Sequence, residues 1–455
     1  MNKFIRFIFI VGTIVISSCS KDYLDTKPTA STTTGTVFES VENIALAING
    51  LNKIMVNFYL ESQGFNGEGT IKMYYGNYPG NHFFVNLPGW SSIINGEYHE
   101  NTTSAYVYFP WYYYYKIIGN ANTIIVNTDG ASGSQAQKDF VKAQALTYRA
   151  YAYFMLSQLY CYRWKDSNNG ASPGLVLRLD ESTGEMPLST LSEVYSQVYS
   201  DLDEAISLYT SSGLSRSYFY DPDINVAYAI YARAAITKED YSKASTMAVN
   251  ARNGYPLMSN SDYTSGFNTP NSEWIWGSFS SVDETLWYYS FLAYMGYNSN
   301  ASIVRLYPRC ISRELFNKIP ASDIRKSLYL DPAGYTYTTS TGAASSALKA
   351  RAFELFPDLF STAQAYAYMQ FKFKVIAVPG VGNVNHFRSS EMYLIEAESK
   401  YRLNDIPGAQ NALNALNQQS GRDPQYNCTK TGTALLEEIK VYRALELWGE
   451  GFDWF

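Results

Sequence analysis

Two stretches of the sequence concentrate residue types that bind sugar rings. Flat aromatic side chains stack on the apolar C–H faces of a sugar, and neighbouring amides pair with its hydroxyls. One stretch follows residue 64 and the other follows residue 280. The candidate ligand-binding residues are Tyr74, Tyr75, Asn77, Tyr78, Trp90, Trp287, Tyr288 and Tyr297. The alternative is that each ring packs within its own loop, because large aromatic residues are mostly buried.

No catalytic signature accompanies these aromatic residues. The sequence contains no GxSxG, HExxH or P-loop motif. The carboxylate pairs Asp283-Glu284 and Glu437-Glu438 have the chemistry of a glycosidase. Adjacent residues on a helix point to different faces, however, so solvated surface charge is the expected role of Glu437-Glu438. We therefore expect a binding protein rather than an enzyme.

Residues that commonly bind metals are few and scattered. The histidines are His82, His99 and His386, and none has metal-ligand spacing with another histidine or a cysteine. No metal site and no cofactor is predicted, although a structural Ca²⁺ in the Asp/Asn-rich stretch 166–169 is left open. Beyond Cys19, the cysteines are Cys161, Cys310 and Cys428. This odd set does not make a disulfide framework, and one bridge remains open.

The composition indicates a globular chain that meets polar, uncharged ligands. The 455 residues are 46% hydrophobic and include 41 tyrosines, whereas only 17% are charged. Tyrosine supplies a flat apolar face and a hydroxyl at a low entropic cost. The formal net charge is -6 and no basic cluster stands out, so nucleic acid is not an expected partner.

The N-terminus has the features of an export signal. Lys3 and Arg6 precede an apolar run over residues 7–16, which is too short to span a bilayer. Ile16-Ser17-Ser18-Cys19 resembles the lipobox of bacterial lipoproteins, which implies cleavage before Cys19 and its acylation. Residues 20–25 resemble the surface-export signal of some Gram-negative lipoproteins. The alternative is an ordinary signal peptide with a chance cysteine.

The elements that position these residues are mainly helices. Apolar residues at i, i+3 and i+4 predict helices over 38–58, 111–126, 137–163, 191–209, 227–237, 241–253, 392–403 and 409–419. Alternation predicts short strands over 274–276 and 370–375. Residues 31–36 form a polar tether, and residues 64–90 are predicted to form a long ordered loop. Arg388 and Glu391 are three apart at a predicted helix start, which favours a local ion pair.

The last four predicted helices form two similar hairpins. A shift of 165 residues superposes Ala232 on Ala397, Asp240 on Asp405 and Ala244 on Ala409. Small residues at these positions let paired helices approach closely, and the pattern resembles the tetratricopeptide repeat. The alternative is a coincidence between two amphipathic hairpins.

Several further segments follow one another along nearly the whole chain. They are residues 19–28, Trp111 with Tyr115, Ile118 and Asn122, residues 149–154, residues 199–202 with Ala205, residues 229–248, residues 273–276, residues 387–398, and Arg443 with Glu446-Leu447 and Glu450-Gly451. In this order they resemble the SusD/RagB family of outer-membrane nutrient-binding lipoproteins. Tyr442 departs from the family, which usually has Glu there. The family also continues with an Asp-Leu-x-Arg stretch, so the region before Phe455 reads as shortened.

The resemblance implies both an architecture and a role. The expected fold is mostly α, with tetratricopeptide-like helical pairs that frame a loop-rich, partly β insertion. The expected regions are a signal peptide at 1–18, a lipidated N-terminus and tether at 19–36, an N-terminal helical region at 37–259 and a C-terminal region at 260–455. The expected protein is anchored in the outer membrane, faces outward and delivers oligosaccharides to a SusC-like TonB-dependent transporter.

Other roles remain open at the level of the sequence. The same complex could take up peptides or another nutrient. A lipid-anchored glycosidase would require one of the carboxylate pairs to act in hydrolysis. A scaffold that binds only protein partners would not need the loop aromatics at all.

Overall fold

The computed structural model describes residues 37–60, 65–86, 91–282 and 290–455. These residues are mostly helical, as expected. The α-helices are α1 Val41–Ile54, α2 Gly67–Thr70, α3 Ser91–Ile94, α4 Ala105–Asn127, α5 Gln135–Tyr160, α6 Leu191–Ser212, α7 Ile224–Thr237, α8 Tyr241–Ala251, α9 Asn260–Tyr263, α10 Phe291–Met295, α11 Ser302–Arg305, α12 Arg313–Asn317, α13 Ser346–Leu355, α14 Ser389–Arg402, α15 Ile406–Asn414 and α16 Gly432–Glu446. The strands are β1 Phe83–Phe84, β2 Trp274–Ser278, β3 Cys310–Ile311 and β4 Val384–Arg388.

The long helices form a stack in which each helix packs on the next. The order of packing is α4, α5, α6, α7 and α8, and α14 and α15 continue the stack beyond α8. Arg149 of α5 ties three of these helices together. Its guanidinium donates to Asp201 of α6 at 2.9 and 2.6 Å and to the side-chain oxygen of Asn122 of α4 at 3.0 Å. All three side chains are buried.

The two predicted hairpins have the same turn. Glu239 and Asn404 both adopt a left-handed backbone, with φ of 63° and 64°. The next residue caps the second helix in each hairpin, because Asp240 accepts from the backbone of Lys243 and Asp405 accepts from that of Gly408. The alanines superposed by the 165-residue shift are fully buried. The internal similarity thus extends to the backbone, whereas the assignment of these hairpins as tetratricopeptide repeats stays a prediction.

A long insertion separates the two hairpins. The chain leaves the stack after α8 and returns at α14, which packs directly on α8. Within the insertion, β2 pairs with β4 in antiparallel register, with Gly277 opposite Asn385 and Ser278 opposite Val384. The predicted strand over 274–276 is therefore confirmed. The predicted boundary between an N-terminal and a C-terminal region at residue 259 stays a prediction.

The predicted strand over 370–375 is wrong. The backbone N–H groups of Gln370, Phe371 and Lys374 donate to three separate segments, at Arg309, Leu328 and Gly266. In the described part of the chain, no single strand pairs along residues 370–375. This stretch is therefore extended but does not form a β-ladder with a neighbour. The alternation reflects the burial of Phe371 and Phe373 in the core instead.

A buried network of charges joins the insertion to the last helix. Among the described residues, its cations are Arg325, Lys372, Arg388 and Arg422, and its carboxylates are Glu273, Asp323, Glu446 and Glu450. Each of these side chains is at most 5% exposed. The four positive and four negative formal charges cancel. This pairing offsets the free-energy cost of burying ions in a low-dielectric interior.

Arg388, the last residue of β4, lies at the centre of this network. Its guanidinium donates to Glu273 at 2.7 Å, to Glu446 at 2.7 Å and to Glu450 at 2.8 and 2.9 Å. Burial opposes ionisation of Glu446, but Arg422, Arg388 and Arg325 outweigh it and hold the pKa of Glu446 well below its usual range. Glu446 is therefore charged at neutral pH.

The predicted local pair between Arg388 and Glu391 does not form. Glu391 instead accepts two hydrogen bonds from Arg233 of α7, at 2.6 and 2.7 Å. Because Arg388 lies on a strand and Glu391 on the first turn of α14, the two side chains do not share a helix face. Both residues join distant elements rather than stabilise a helix end.

Replacing Arg388 with Met leaves Glu273, Glu446 and Glu450 without their shared donor. We expect a loss of about 3–5 kcal/mol in the free energy of unfolding, because uncompensated buried charges are costly. Urea denaturation followed by circular dichroism measures this loss. The control is Lys440→Gln, which removes an exposed ion pair and should cost less than about 1 kcal/mol. Equal stabilities of the two variants would contradict the central role of Arg388.

Candidate functional site

An exposed cluster of aromatic rings lies where the helical stack meets β2. We define the aromatic patch as Tyr218, Tyr220 and Phe279. The rings of Tyr218 and Tyr220 are stacked with centroids 5.0 Å apart and planes 6° apart, and Phe279 lies 5.9 Å from Tyr220. Tyr218 is 56% exposed and Phe279 is 47% exposed. A ligand that approaches from solvent can therefore contact the flat apolar faces of these rings.

Two elements hold the aromatic patch in place. Tyr218 and Tyr220 lie in the connection between α6 and α7, and Phe279 directly follows β2. Arg216 anchors the connection by donating to the backbone oxygen of Ile275 at 2.8 Å. Trp276 donates through its indole N–H to the backbone oxygen of Tyr220 at 2.9 Å. The tyrosines are therefore fixed to the strand that carries Phe279.

The second predicted binding stretch follows Phe279 in the sequence. Val282, 71% exposed, is the last described residue before residues 283–289. The predicted ligand-binding residues Trp287 and Tyr288 belong to that segment and lie outside the described residues, as does Trp90. Their roles stay predictions. Sequence reasoning missed the aromatic patch, although Tyr218-Phe219-Tyr220 between two helices is a signal that it could have used.

Residues 67–77 of the first predicted stretch are not a surface loop, whereas residues 78–82 form turns and bends and Phe84 is 49% exposed. Residues 67–70 form α2, and a π-helix over Ile71–Asn77 follows it. Tyr74, Tyr75, Asn77 and Tyr78 are at most 4% exposed. The prediction of a loop is therefore wrong for residues 67–77, which fold between the helical stack and the residues that follow α16. Glycine permits the close approach, since a Cβ on Gly76 would meet the Gly451 oxygen at 2.3 Å.

The polar groups of these buried residues are already used inside the protein. The side chain of Asn77 donates to the Gly449 oxygen at 2.9 Å and accepts from the Gly451 N–H at 2.9 Å. The hydroxyls of Tyr74 and Tyr294 share a hydrogen bond of 3.1 Å. The ligand roles of these residues stay predictions, while the structure gives each of them a role in packing.

Tyr78 and Tyr297 also lie inside the protein. Arg309 donates to the Tyr78 hydroxyl at 3.2 Å. Tyr297 is 7% exposed and donates to Asp358, with oxygen–oxygen distances of 2.9 and 3.0 Å. The Tyr297 ring belongs to a second, smaller hydrophobic cluster within the insertion. Neither ring presents an open face to solvent, so the aromatic patch is the better candidate site.

Tyr75 fills a gap in the hydrogen bonding of α4. Pro110 lies inside this helix and has no N–H, so it cannot donate to the backbone oxygen of Tyr106 four residues earlier. The hydroxyl of Tyr75 donates to that oxygen instead. Burial raises the pKa of Tyr75 well above its usual value, so the hydroxyl stays protonated and keeps this role.

Tyr75→Phe should lower the free energy of unfolding by about 1–3 kcal/mol, because the buried Tyr106 carbonyl loses its donor. The cost should shrink when Pro110→Ala is also present, since alanine supplies the backbone N–H that proline lacks. A double-mutant cycle by urea denaturation measures this coupling. Equal effects of Tyr75→Phe in both backgrounds would show that the hydroxyl does not compensate for Pro110.

The described part of the chain contains no cluster of metal-ligating side chains. In these residues, no group of three or more His, Cys, Asp and Glu side chains is placed to hold a metal ion. Within the same residues, Cys161, Cys310 and Cys428 are free thiols. Glu437 and Glu438 bind Lys440 and Lys430, respectively, which fits their expected surface role.

No described helix is both long and apolar enough to cross a bilayer.

Known proteins share this architecture. A SusD-like carbohydrate-binding protein from Bacteroides vulgatus matches with a TM-score of 0.74 and 24% identity, over 91% of this chain and 82% of that one. A SusD superfamily protein from Bacteroides thetaiotaomicron matches with a TM-score of 0.69 and 21% identity, over 91% and 88% of the two chains. These similarities establish the fold. Among curated proteins, none matches the chain significantly.

Two family profiles cover the two ends of the fold. Residues 22–236 match a SusD-like family described as starch-binding and associating with the outer membrane. Residues 364–455 match the SusD family. The matched regions include the helical stack up to α7, and β4 together with the helices from α14 onward. With the shared architecture, these matches show that the chain belongs to the SusD/RagB family.

Proposed function

We propose that this protein is a surface lipoprotein of the outer membrane that binds oligosaccharides and delivers them to a SusC-like TonB-dependent transporter. The observation that carries the binding proposal is the aromatic patch of Tyr218, Tyr220 and Phe279. Membership of a carbohydrate-binding family supports the ligand class. The lipobox-like sequence before Cys19 supports the location.

The aromatic patch has the properties that a sugar-binding surface needs. Its stacked rings are held by hydrogen bonds to β2, so a ligand does not have to order them at an entropic cost. Hydroxyls of Ser217 and Ser280 lie next to the aromatic residues in the sequence, where they can pair with sugar hydroxyls. The ligand-binding roles of Trp287 and Tyr288, which follow Val282 in the sequence, are part of this proposal.

Alanine at both Tyr218 and Phe279 should weaken oligosaccharide binding about tenfold or more, because a stacking surface worth roughly 1–2 kcal/mol is removed. Isothermal titration of the protein from Ser20 onward against a panel of plant, host and microbial glycans first identifies the ligand. The same titration then compares the variants. Since both side chains are largely exposed, the melting temperature should change little.

The matched control for this experiment is Tyr108→Ala. Tyr108 is 52% exposed but lies on α4 rather than in the aromatic patch. It should leave the affinity unchanged. Binding of peptides but not of glycans would favour the alternative nutrient, and release of reducing sugar ends would favour the glycosidase. Glycan binding that survives loss of the aromatic patch would place the site elsewhere.

Replacing Cys19 with Ser should release the protein from the membrane. The acyl chains proposed on this cysteine anchor the protein stably only because there are two or more of them, and Ser cannot be acylated in this way. Ultracentrifugation of lysed cells and protease treatment of intact cells measure anchoring and surface exposure. A membrane-bound Cys19→Ser protein would contradict lipid anchoring.

Co-purification of the wild-type protein with a TonB-dependent transporter tests the proposed partner.

A further inference from the structure

A cavity beside α4 shares no lining residue with the aromatic patch. We call it the α4 cleft, because α4 forms one wall and the loop over residues 176–183 forms the other. Its volume is about 650 Å³, which lies within the usual range of ligand pockets. The residues that give the α4 cleft its chemistry are Trp111, Tyr115, Asn122, Arg178, Asp180 and Glu181.

Hydrogen bonds from the helical stack hold this loop in place. The side chain of Asn122 donates to the backbone oxygens of Arg178 and Asp180, at 2.9 and 3.0 Å. The hydroxyl of Tyr115 donates to the backbone oxygen of Val176 at 2.7 Å. Both walls are therefore in place before a ligand arrives, and binding does not incur the entropic cost of ordering a loop.

The guanidinium of Arg178 is engaged inside the loop. It donates to the backbone oxygens of Ser182 and Gly184, at 2.9 and 2.6 Å. Of the described residues that line the α4 cleft, Arg178 is the only cation. Because both of its terminal nitrogens already bind backbone oxygens, its main role is to hold the shape of the loop.

Two exposed carboxylates at the α4 cleft keep acceptors for a ligand. Asp180 accepts from the backbone N–H of Ser182 at 2.9 Å, and Glu181 accepts from the side chain of Asn127 at 3.4 Å. Within the described part of the chain, neither carboxylate forms an ion pair. The hydrogen bonds from Ser182 hold the pKa of Asp180 below its usual value, so Asp180 is charged at neutral pH. An ionised carboxylate has about four acceptor positions, so both side chains can accept from sugar hydroxyls.

Trp111 supplies aromatic surface to the same cleft. Its ring is partly buried and contacts those of Tyr115 and Tyr160, with centroids 4.7 and 5.3 Å away. Among the described residues, the indole N–H of Trp111 has no hydrogen-bond partner, yet it is not one of the buried groups that lack one. This N–H is therefore accessible to solvent. Trp111 thus combines apolar ring surface with a donor that a ligand can reach.

We infer that the α4 cleft binds an uncharged sugar unit, which packs on Trp111 and donates its hydroxyls to Asp180 and Glu181. This inference rests on the proposed glycan-binding function and adds a second site to it. Hydrogen bonds from hydroxyls to ionised carboxylates are stronger than those between neutral groups. An anionic sugar is disfavoured, because its charge would meet two carboxylates of the same sign.

The test uses isothermal titration of protein that carries Tyr218→Ala and Phe279→Ala, so that the aromatic patch does not contribute. The ligands are maltotriose, cellotriose, xylotriose, mannotriose and the acidic trigalacturonate. We expect at least one neutral trisaccharide to bind, as the weaker binding that remains once the aromatic patch is lost. Trigalacturonate should bind about tenfold more weakly than that trisaccharide, because of the repulsion between carboxylates.

Two further substitutions in this background locate the remaining binding. Glu181→Ala should lower the affinity about tenfold, because a hydrogen bond to a charged acceptor is lost, and Trp111→Ala should lower it at least as much. Glu181 is exposed, so its variant tests the site even if Trp111→Ala, which also loses its contact with Tyr160, does not fold. The matched control is Glu185→Ala. Glu185 is an exposed acid in the same connection that does not line the α4 cleft, so the affinity should not change.

Unchanged affinity in Glu181→Ala and Trp111→Ala would overturn the inference. Tighter binding of trigalacturonate than of every neutral trisaccharide would overturn the assignment to an uncharged sugar. The inference and the proposed function fail separately. Glycan binding by the wild-type protein that disappears entirely with Tyr218→Ala and Phe279→Ala would remove only the α4 cleft. Absence of glycan binding by the wild-type protein would remove both.

Discussion

The interior of this protein is organised around charges that have no access to water. Each ion removed from water costs several kcal/mol, and this cost is offset only when every hydrogen-bonding group finds a partner with good geometry. Arg388 meets that condition by reaching three carboxylates, Glu273 just before β2 and Glu446 and Glu450 at and just beyond the end of α16. The insertion, β4 and the end of α16 therefore have to reach their native positions together.

The aromatic patch is linked to this network by a short connection. Glu273 immediately precedes β2, and β2 leads to Phe279 of the aromatic patch. Glu450 binds Arg388 and Lys372 through its carboxylate, and its backbone oxygen receives the hydrogen bond of Lys72. The geometry of the aromatic patch is thus linked to the balance of charge in the core.

The sequence predicted the parts of the fold that depend on local periodicity. The helical stack and the hairpin turns followed from apolar spacing and small residues, and β2 followed from the alternation of Trp274 and Trp276. The partners of Arg388 could not be found in this way, because Glu446 and Glu450 are distant in sequence and only the tertiary fold brings them near. The roles of Trp90, Trp287 and Tyr288 stay predictions.

The tyrosine content misled the sequence interpretation for a definite physical reason. A chain rich in Tyr, Gly and Asn is typical of surface loops, yet the described part of the stretch after residue 64 is mostly interior. Tyr113, Tyr114 and Tyr151 all donate to the buried carboxylate of Glu68. Tyrosine here combines a large apolar body with a donor that reaches isolated acceptors. Composition alone does not distinguish this use from ligand binding.

The insertion between α8 and α14 has a consequence for how the chain reaches its native state. The contact between these helices is non-local, because the chain between residues 252 and 388 separates them in the sequence, so forming it closes a long loop. Such high contact order slows folding. The entropy of closing a long loop rises by only about 0.6 kcal/mol for each doubling of its length. The length of this insertion can therefore change during evolution with little thermodynamic effect on the helical stack that carries it.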